Sequence, residues 1–221
     1  MATSPITFED NDLLEFDATT TPVGSNSIAT STASAMYGNY GMQANITDQN
    51  AVYGTVTFAL LSRIRVGFYF DPNDLAMGAG NKFRICGGGT AADSYYAIEL
   101  SYDGADYEIR IDVDTDGGWV DSPPLVITNA KHWIEIDCLI APLPAPNDGF
   151  AKLWVDVVDD TPDTESLNLD NDTKNFTNLD LGACDGLDVG TKGTLYFDHL
   201  MWNVNGDPIG PPPTGHYAWI F

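Results

Sequence analysis

Basic side chains are scarce in this sequence: nine Lys and Arg stand against 32 Asp and Glu in 221 residues, a net charge of −23 at neutral pH. No basic run or patch is available to neutralise phosphates, which argues against nucleic acid and anionic membrane surfaces as partners and makes cations the natural counterpart. Histidine occurs only three times, at His132, His199 and His216, and in no motif that pairs it with a nucleophile. The three cysteines, Cys86, Cys138 and Cys184, cannot all pair within one chain, and no CxxC or Cys/His metal spacing occurs, so free thiols are expected. No apolar run approaches the length of a membrane-spanning helix. The opening MATSPITF lacks a basic stretch followed by an apolar one, so no signal peptide is expected.

What is present is alternation. In SRIRVGFYF, Ile64, Val66, Phe68 and Phe70 share one face, with Arg63, Arg65 and Tyr69 on the other, the period of a half-buried strand. YEIRIDVD places Tyr107, Ile109, Ile111 and Val113 inward, KLWVDVV does the same with Leu153, Val155 and Val157, and Cys138 shares a face with Ile134 and Ile136. Turn signals separate such runs: DPND (71–74), GAGN (78–81), CGGG (86–89), YDGAD (102–106), DTDGG (114–118), APNDG (145–149) and GLDVGTKG (186–193). With no stretch of helical period, the pattern predicts an all-β fold of two packed antiparallel sheets, with the chain ends near one another. The expected division is a domain over 1–208 and a Pro-rich tail over 209–221. The tail ends in HYAWIF, where Tyr217, Trp219 and Phe221 line one side as an expected assembly contact.

Two acidic motifs invite a chemical reading. DVDTDGG (Asp112–Gly118) contains the first half of an EF-hand loop, but its twelfth position is Pro123 rather than the bidentate Glu, so a hairpin turn is expected. WIEIDCLIA resembles the E-x-D-x-(x)-E strand of retaining jelly-roll glycosidases, which need two carboxylates on one strand face. Glu135 and Asp137 fill the first two places, while Leu139, Ile140 or Ala141 stands where the acid belongs. Without a proton donor the strand cannot run that mechanism. Glu135 and Asp137 therefore read as outward, solvated carboxylates, and no enzyme activity is expected. Asn45, Asn171 and Asn175 each begin an N-x-T sequon.

FEDNDLLEFD followed by MYGNYGMQAN, and later RIRVGFYFDP, YAIELSYDG, KHWIEID, GFAKLWVDVV and GTLYFDHL, resemble in content and order the concanavalin A-like and laminin G-like jelly-roll domains. The resemblance implies that the first and last strands lie side by side, and that an acidic residue from each end helps to hold a structural Ca²⁺. Glu9 and Asp198 would be the ligands, with Asn11, standing where Gly is frequent, or Asp12 and backbone carbonyls completing the oxygen shell.

Two functions follow as expectations. One is a non-enzymatic jelly-roll protein displayed on a bacteriophage virion, as capsid decoration or tail appendage, meeting other virion proteins or itself through the C-terminal tail. The alternative is a carbohydrate-binding module of a secreted or cell-surface protein, taking neutral glycans on the aromatic faces of Trp119, Trp154 and Tyr96. Both place the chain on a virion surface or outside a cell.

Overall fold

The computed structural model describes residues 5–20, 24–90, 93–142 and 147–213. Tyr217, Trp219 and Phe221 lie outside the described residues. Among the described residues, fifteen strands form two antiparallel sheets. The first runs β1 (Ala18–Thr19), β4 (Val52–Leu61), β14 (Phe176–Asp185), β6 (Lys82–Gly89), β7 (Ser94–Tyr102), β8 (Tyr107–Thr115) and β10 (Leu125–Ile127), with β9 (Gly118–Asp121) also pairing β8. The second runs β13 (Thr164–Leu169), β12 (Gly149–Val155), β11 (His132–Leu139), β5 (Arg63–Asp71), β15 (Gly193–Asn203), β3 (Gly41–Ile46) and β2 (Ser27–Ser31). Among the described residues no helix is long and apolar enough to cross a membrane.

The inner faces follow the alternation. Ile64, Val66, Phe68 and Phe70 of β5 are fully buried, and Tyr96, Ile98, Leu100, Ile109 and Ile111 pack against them from the other sheet. Each such side chain contributes about 1.5–3 kcal/mol by leaving water. Cys86 and Cys138 are buried in this core, and all three thiols are free. Burial pushes the Cys138 and Cys184 thiols well above their ordinary range.

Four local readings are corrected. CGGG is not a turn: Cys86–Gly89 continues β6, because a Cβ on Gly88 would lie 2.4 Å from the buried Tyr96 ring and only a side-chain-free strand fits there. Residues 9–17 form turns and bends rather than a strand, and the N-terminal segment joins the sheet only at Ile6, which exchanges two backbone hydrogen bonds with Leu200. Val157 is not inward, since β12 stops at Val155 and Val157 is 66% exposed.

The fourth correction concerns the outer face of the second sheet. Glu135 and Asp137 point outward but are 0% and 2% exposed. Arg65 Nε lies 2.5 Å from Glu135 Oε1, and Arg63 grips Asp137 through Nε and Nη2 at 3.0 and 2.6 Å. The chain after β15 then crosses this face: the Ile209 and Gly210 N–H groups donate to Glu135 at 2.9 and 2.8 Å, and Gly206 O accepts from Arg65 Nη1 at 3.0 Å. The segment thus makes a third layer over part of the sheet.

Candidate functional site

On the outer face of the first sheet, alternation leaves a row of residues in register across six strands. Thr55 of β4 pairs Asp180 of β14, then Gly87 of β6, Ala97 of β7, Asp112 of β8 and Asp121 of β9. The next row reads Thr57, Asn178, Gly89 and Ser94. Glycine, alanine and serine in mid-sheet leave the middle bare between taller polar neighbours. The result is an open trough of about 670 Å³, walled by Tyr53 and Thr57 on one side and by Asp114 and Trp119 on the other.

The floor is polar and ordered. Thr55 Oγ1 donates to Asp180 Oδ1 at 2.7 Å, Asn178 Nδ2 donates to Asp180 Oδ2 at 3.1 Å, and Gly89 N donates to Asn178 Oδ1 at 3.0 Å. Trp119 is 42% exposed, and its ring takes the Arg84 guanidinium 4.2 Å from the centroid. Strands lie ~4.8 Å apart, and β8 and β7 stand between β9 and β6, so the two side chains meet above those strands and form one end of the trough. The ionisable groups lining it besides Tyr53 and Cys184 are one arginine, Arg84, and four aspartates, Asp93, Asp114, Asp180 and Asp185.

Trp119 alone of the three sequence-predicted aromatics reaches this surface. Tyr96 is a core residue, 0% exposed and edge-on to Phe176, because YYAIEL alternates it with Ile98 and Leu100. Trp154 is 4% exposed, with Arg65 stacked 4.4 Å from its ring and its Nε1 donating to Asp159 O. Neither offers a face for stacking. The trough itself went unread in sequence; CGGG beside YYA was its signal, a strand whose outward positions carry almost no side chain.

Next to the trough, Glu99, Arg110, Asp112 and Asp121 form an ion cluster with Lys82 at its edge. Burial, then the Glu99 and Asp121 charges, push the Asp112 carboxyl from an ordinary 3.8 up to about 7, against the pull of Arg110. The folded chain therefore holds this proton more tightly than the unfolded one. Its stabilising contribution is full below the ordinary carboxylate pKa and is lost as pH rises through about 7. Urea unfolding is expected to show a loss of about 1–2 kcal/mol from this group between pH ~5 and ~8, after discounting for solvent screening. Asp112→Asn should reduce that slope and be the more stable protein at the upper end. An unchanged slope would show that Asp112 titrates normally.

Glu9, near the start of the chain, and Asp198 of β15 form a second acidic site around one shared segment. Glu9 accepts from the Asn39 and Tyr40 N–H groups (2.8 and 3.0 Å to Oε1), and Asp198 Oδ2 accepts from Met36 and Tyr37 N–H at 2.7 and 2.6 Å. Both carboxylates thus clasp the MYGNY segment. Gly38 within it has φ +84°, and a Cβ there would lie 2.3 Å from Glu9 Oε1, so this position requires glycine. A bulge between Asp198 and Met201, with His199 at φ +51°, shifts the register of this part of β15.

Burial raises the Glu9 carboxyl, but the hydrogen bonds from Tyr40 and Asn39 outweigh it and hold its pKa below the ordinary value. Burial raises Asp198 to about 7, with the Met36 and Tyr37 N–H groups pulling the other way. Asp198 Oδ1 is buried without a hydrogen-bond partner. That unpartnered oxygen suits a hard cation, whereas both Glu9 oxygens already accept from Asn39 and Tyr40 and would have to share those bonds with the implied Ca²⁺. Asn11 and Asp12 do not join them: Asn11, at φ +58° like the glycine it replaces, accepts from Thr30 Oγ1, and Asp12 Oδ1 accepts from Leu14 N–H. The Asn11 side chain is committed to β2 and that of Asp12 to its own turn.

Among the described residues, Asp116, Asp170 and Asp172 bring carboxylate oxygens within 4.8 Å of one another, an arrangement able to hold a metal ion. Asp116 sits at the tip of the β8–β9 hairpin, which is the turn expected from DVDTDGG. Of the sequons, Asn171 is 2% exposed and its amide is hydrogen-bonded to Ala141 N and Leu139 O, so its Nδ2 is not open to a glycan in the folded chain.

No protein-family model matches the sequence, and no curated protein matches it. Solved structures do match its fold. A cellulose-induced protein, Cip1, superposes with a TM-score of 0.62 at 14% identity over 95% of this chain and all of that one. Domain 4 of AbnA, an extracellular GH43 arabinanase from Geobacillus stearothermophilus solved with arabinotriose, gives 0.55 at 18% identity over 91% of each chain. An alginate lyase from Klebsiella pneumoniae gives 0.52 at 8% identity over 84% of this chain and 86% of that one. With two antiparallel sheets in the order given above, the chain has the jelly-roll β-sandwich fold of the concanavalin A-like kind.

Proposed function

We propose that the chain is a non-catalytic, extracellularly displayed binding domain whose trough on the first sheet takes a carbohydrate chain free of acidic groups. The observation that carries this reading is the trough: a half-exposed Trp119 beside a floor of Thr55, Asn178 and Asp180, with Gly87, Gly89 and Ala97 leaving room for a ring between them. Stacking on an aromatic face with hydrogen bonds from Asp and Asn is how sugars are held. One arginine against four aspartates would repel a polyuronate. The non-catalytic part of the proposal is supported by Glu135 and Asp137, which are committed to ion pairs beneath the C-terminal segment and reach no ligand.

A panel of plant, fungal and bacterial polysaccharides, read by affinity electrophoresis and calorimetry, tests the reading. At least one non-acidic glycan is expected to bind, alginate is not, and Trp119→Ala should weaken binding by about tenfold or more at unchanged melting temperature. Binding by no glycan, or equal binding by Trp119→Ala, would sink it.

We also propose that Glu9 and Asp198 hold a structural Ca²⁺ across the two chain ends, supported by the unpartnered Asp198 Oδ1. Display on a virion, through Tyr217, Trp219 and Phe221, is a placement compatible with the same binding role. The fixed course of the chain over the second sheet as far as Pro213, beside Tyr69 and Trp133, would launch that tail from a defined point.

A further inference from the structure

We propose, resting on the glycan reading of the same trough, that its preferred ligand is cationic: a glycan bearing free amino groups, such as a glucosamine polymer, over its N-acetylated or glucose counterpart. The reason is Asp180. It stands mid-floor, half-buried, with each oxygen held by a neutral donor, Thr55 Oγ1 at 2.7 Å and Asn178 Nδ2 at 3.1 Å. Among the described residues no Lys or Arg approaches it within 4.0 Å, and burial pushes its carboxyl pKa upward.

The neighbouring acids differ. Asp114 has Lys174 at 2.7 Å, Asp185 has Arg84 at 3.6 Å, and Glu99 has both Arg110 and Lys82. Asp180 has lost part of its hydration without gaining an opposite charge, and a ligand ammonium would supply what the fold withholds. The space for it is open, because Gly87 and Ala97 lie beside Asp180 in the same row.

The aromatic wall suits the same ligand chemistry. Trp119 is 42% exposed and already holds the Arg84 guanidinium 4.2 Å from its ring centroid, the attraction of a ring quadrupole for a cation. An amino sugar presents both an apolar ring face and an ammonium, and so matches Trp119 and Asp180 together. A polyuronate presents the wrong sign, and an N-acetylated sugar gives Asp180 only another neutral donor.

The test compares a glucosamine hexamer, its N-acetylated form and a glucose hexamer by calorimetry at about pH 6, where ordinary carboxylates are ionised and the sugar amine is protonated. The glucosamine hexamer is expected to bind about tenfold tighter than either neutral chain, with affinity falling as salt rises. Asp180→Asn, which keeps the shape and the Thr55 contact, should remove most of that preference, weakening the glucosamine hexamer by far more than it weakens the neutral chains. Trp119→Ala should weaken all three. Equal binding of the three chains, or a preference that survives Asp180→Asn, would overturn the cationic inference while leaving the glycan trough intact. If none of the three hexamers binds, the cationic inference falls, and if no glycan of the wider panel binds either, the reading beneath it falls too.

Discussion

Arg65→Met is expected to cost the fold about 3 kcal/mol or more in urea unfolding, one of the largest effects of any single change outside the apolar core. The Arg65 and Glu135 side chains are 5% and 0% exposed and meet at 2.5 Å, so removing the guanidinium strands a carboxylate where water cannot reach it. Three donors would remain to Glu135, from Trp133 Nε1 and the Ile209 and Gly210 N–H groups, but none carries charge. Arg65 Nη2 has no partner in the folded chain, which sets the cost toward the lower end of the range for buried pairs.

The adjacent pair provides the control. Arg63 holds its carboxylate through two bonds where Arg65 has one, yet its side chain is 31% exposed, and Arg63→Met should cost only about 1 kcal/mol. The double change Arg65→Met with Glu135→Gln should recover part of the loss, since a neutral amide needs no counter-charge and keeps an oxygen for the Trp133, Ile209 and Gly210 donors. Because the C-terminal segment is tied to Glu135 itself, Arg65→Met should also speed proteolytic cleavage near residues 206–210. An Arg65→Met protein as stable as the parent would mean that water reaches Glu135 beneath that segment.

This pair also marks the limit of local reading. Alternation separates the two faces of a strand, and it placed Ile64, Val66, Phe68 and Phe70 correctly because one face of a sandwich must be dry. It says nothing of what covers the other face. Glu135, Asp137 and Trp154 read as solvated since the residues that cover them, 206–210 and Asp159, come from loops whose path no strand pattern encodes. Tyr96 was misread for a different reason. It follows Tyr95 in YYAIEL, and the inward pair Ile98 and Leu100 already assigns it to the core. Glycines were equally ambiguous: GAGN and DTDGG are turns, whereas CGGG is a strand, and only the crowding of Tyr96 and the neighbouring backbones distinguishes them.

The acidic pair Glu9 and Asp198 was singled out by the jelly-roll resemblance rather than by periodicity, and the metal prediction rests on the same atoms. Calcium at about a hundredfold excess over its Kd should add about 2.7 kcal/mol to the unfolding free energy. For a chain of this size that corresponds to a rise in melting temperature of about 5–10 °C, reversed by a chelator. Glu9 and Asp198 bridge the first and last segments, which otherwise touch through the Ile6–Leu200 pair, so an ion there would stabilise the closure that holds the sheet order together. Asp198→Asn should abolish the calcium effect, and Asp170→Asn should leave it intact. The reverse result would move the ion to Asp116, Asp170 and Asp172 at the hairpin tip. There it would link β9 to the segment before β14 and set the position of the Trp119 wall, tying calcium to glycan affinity rather than to closure of the chain ends. Melting curves and Trp119-dependent binding, measured with and without chelator, separate these two outcomes, and a chain indifferent to calcium in both would leave the carboxylates to the MYGNY backbone alone.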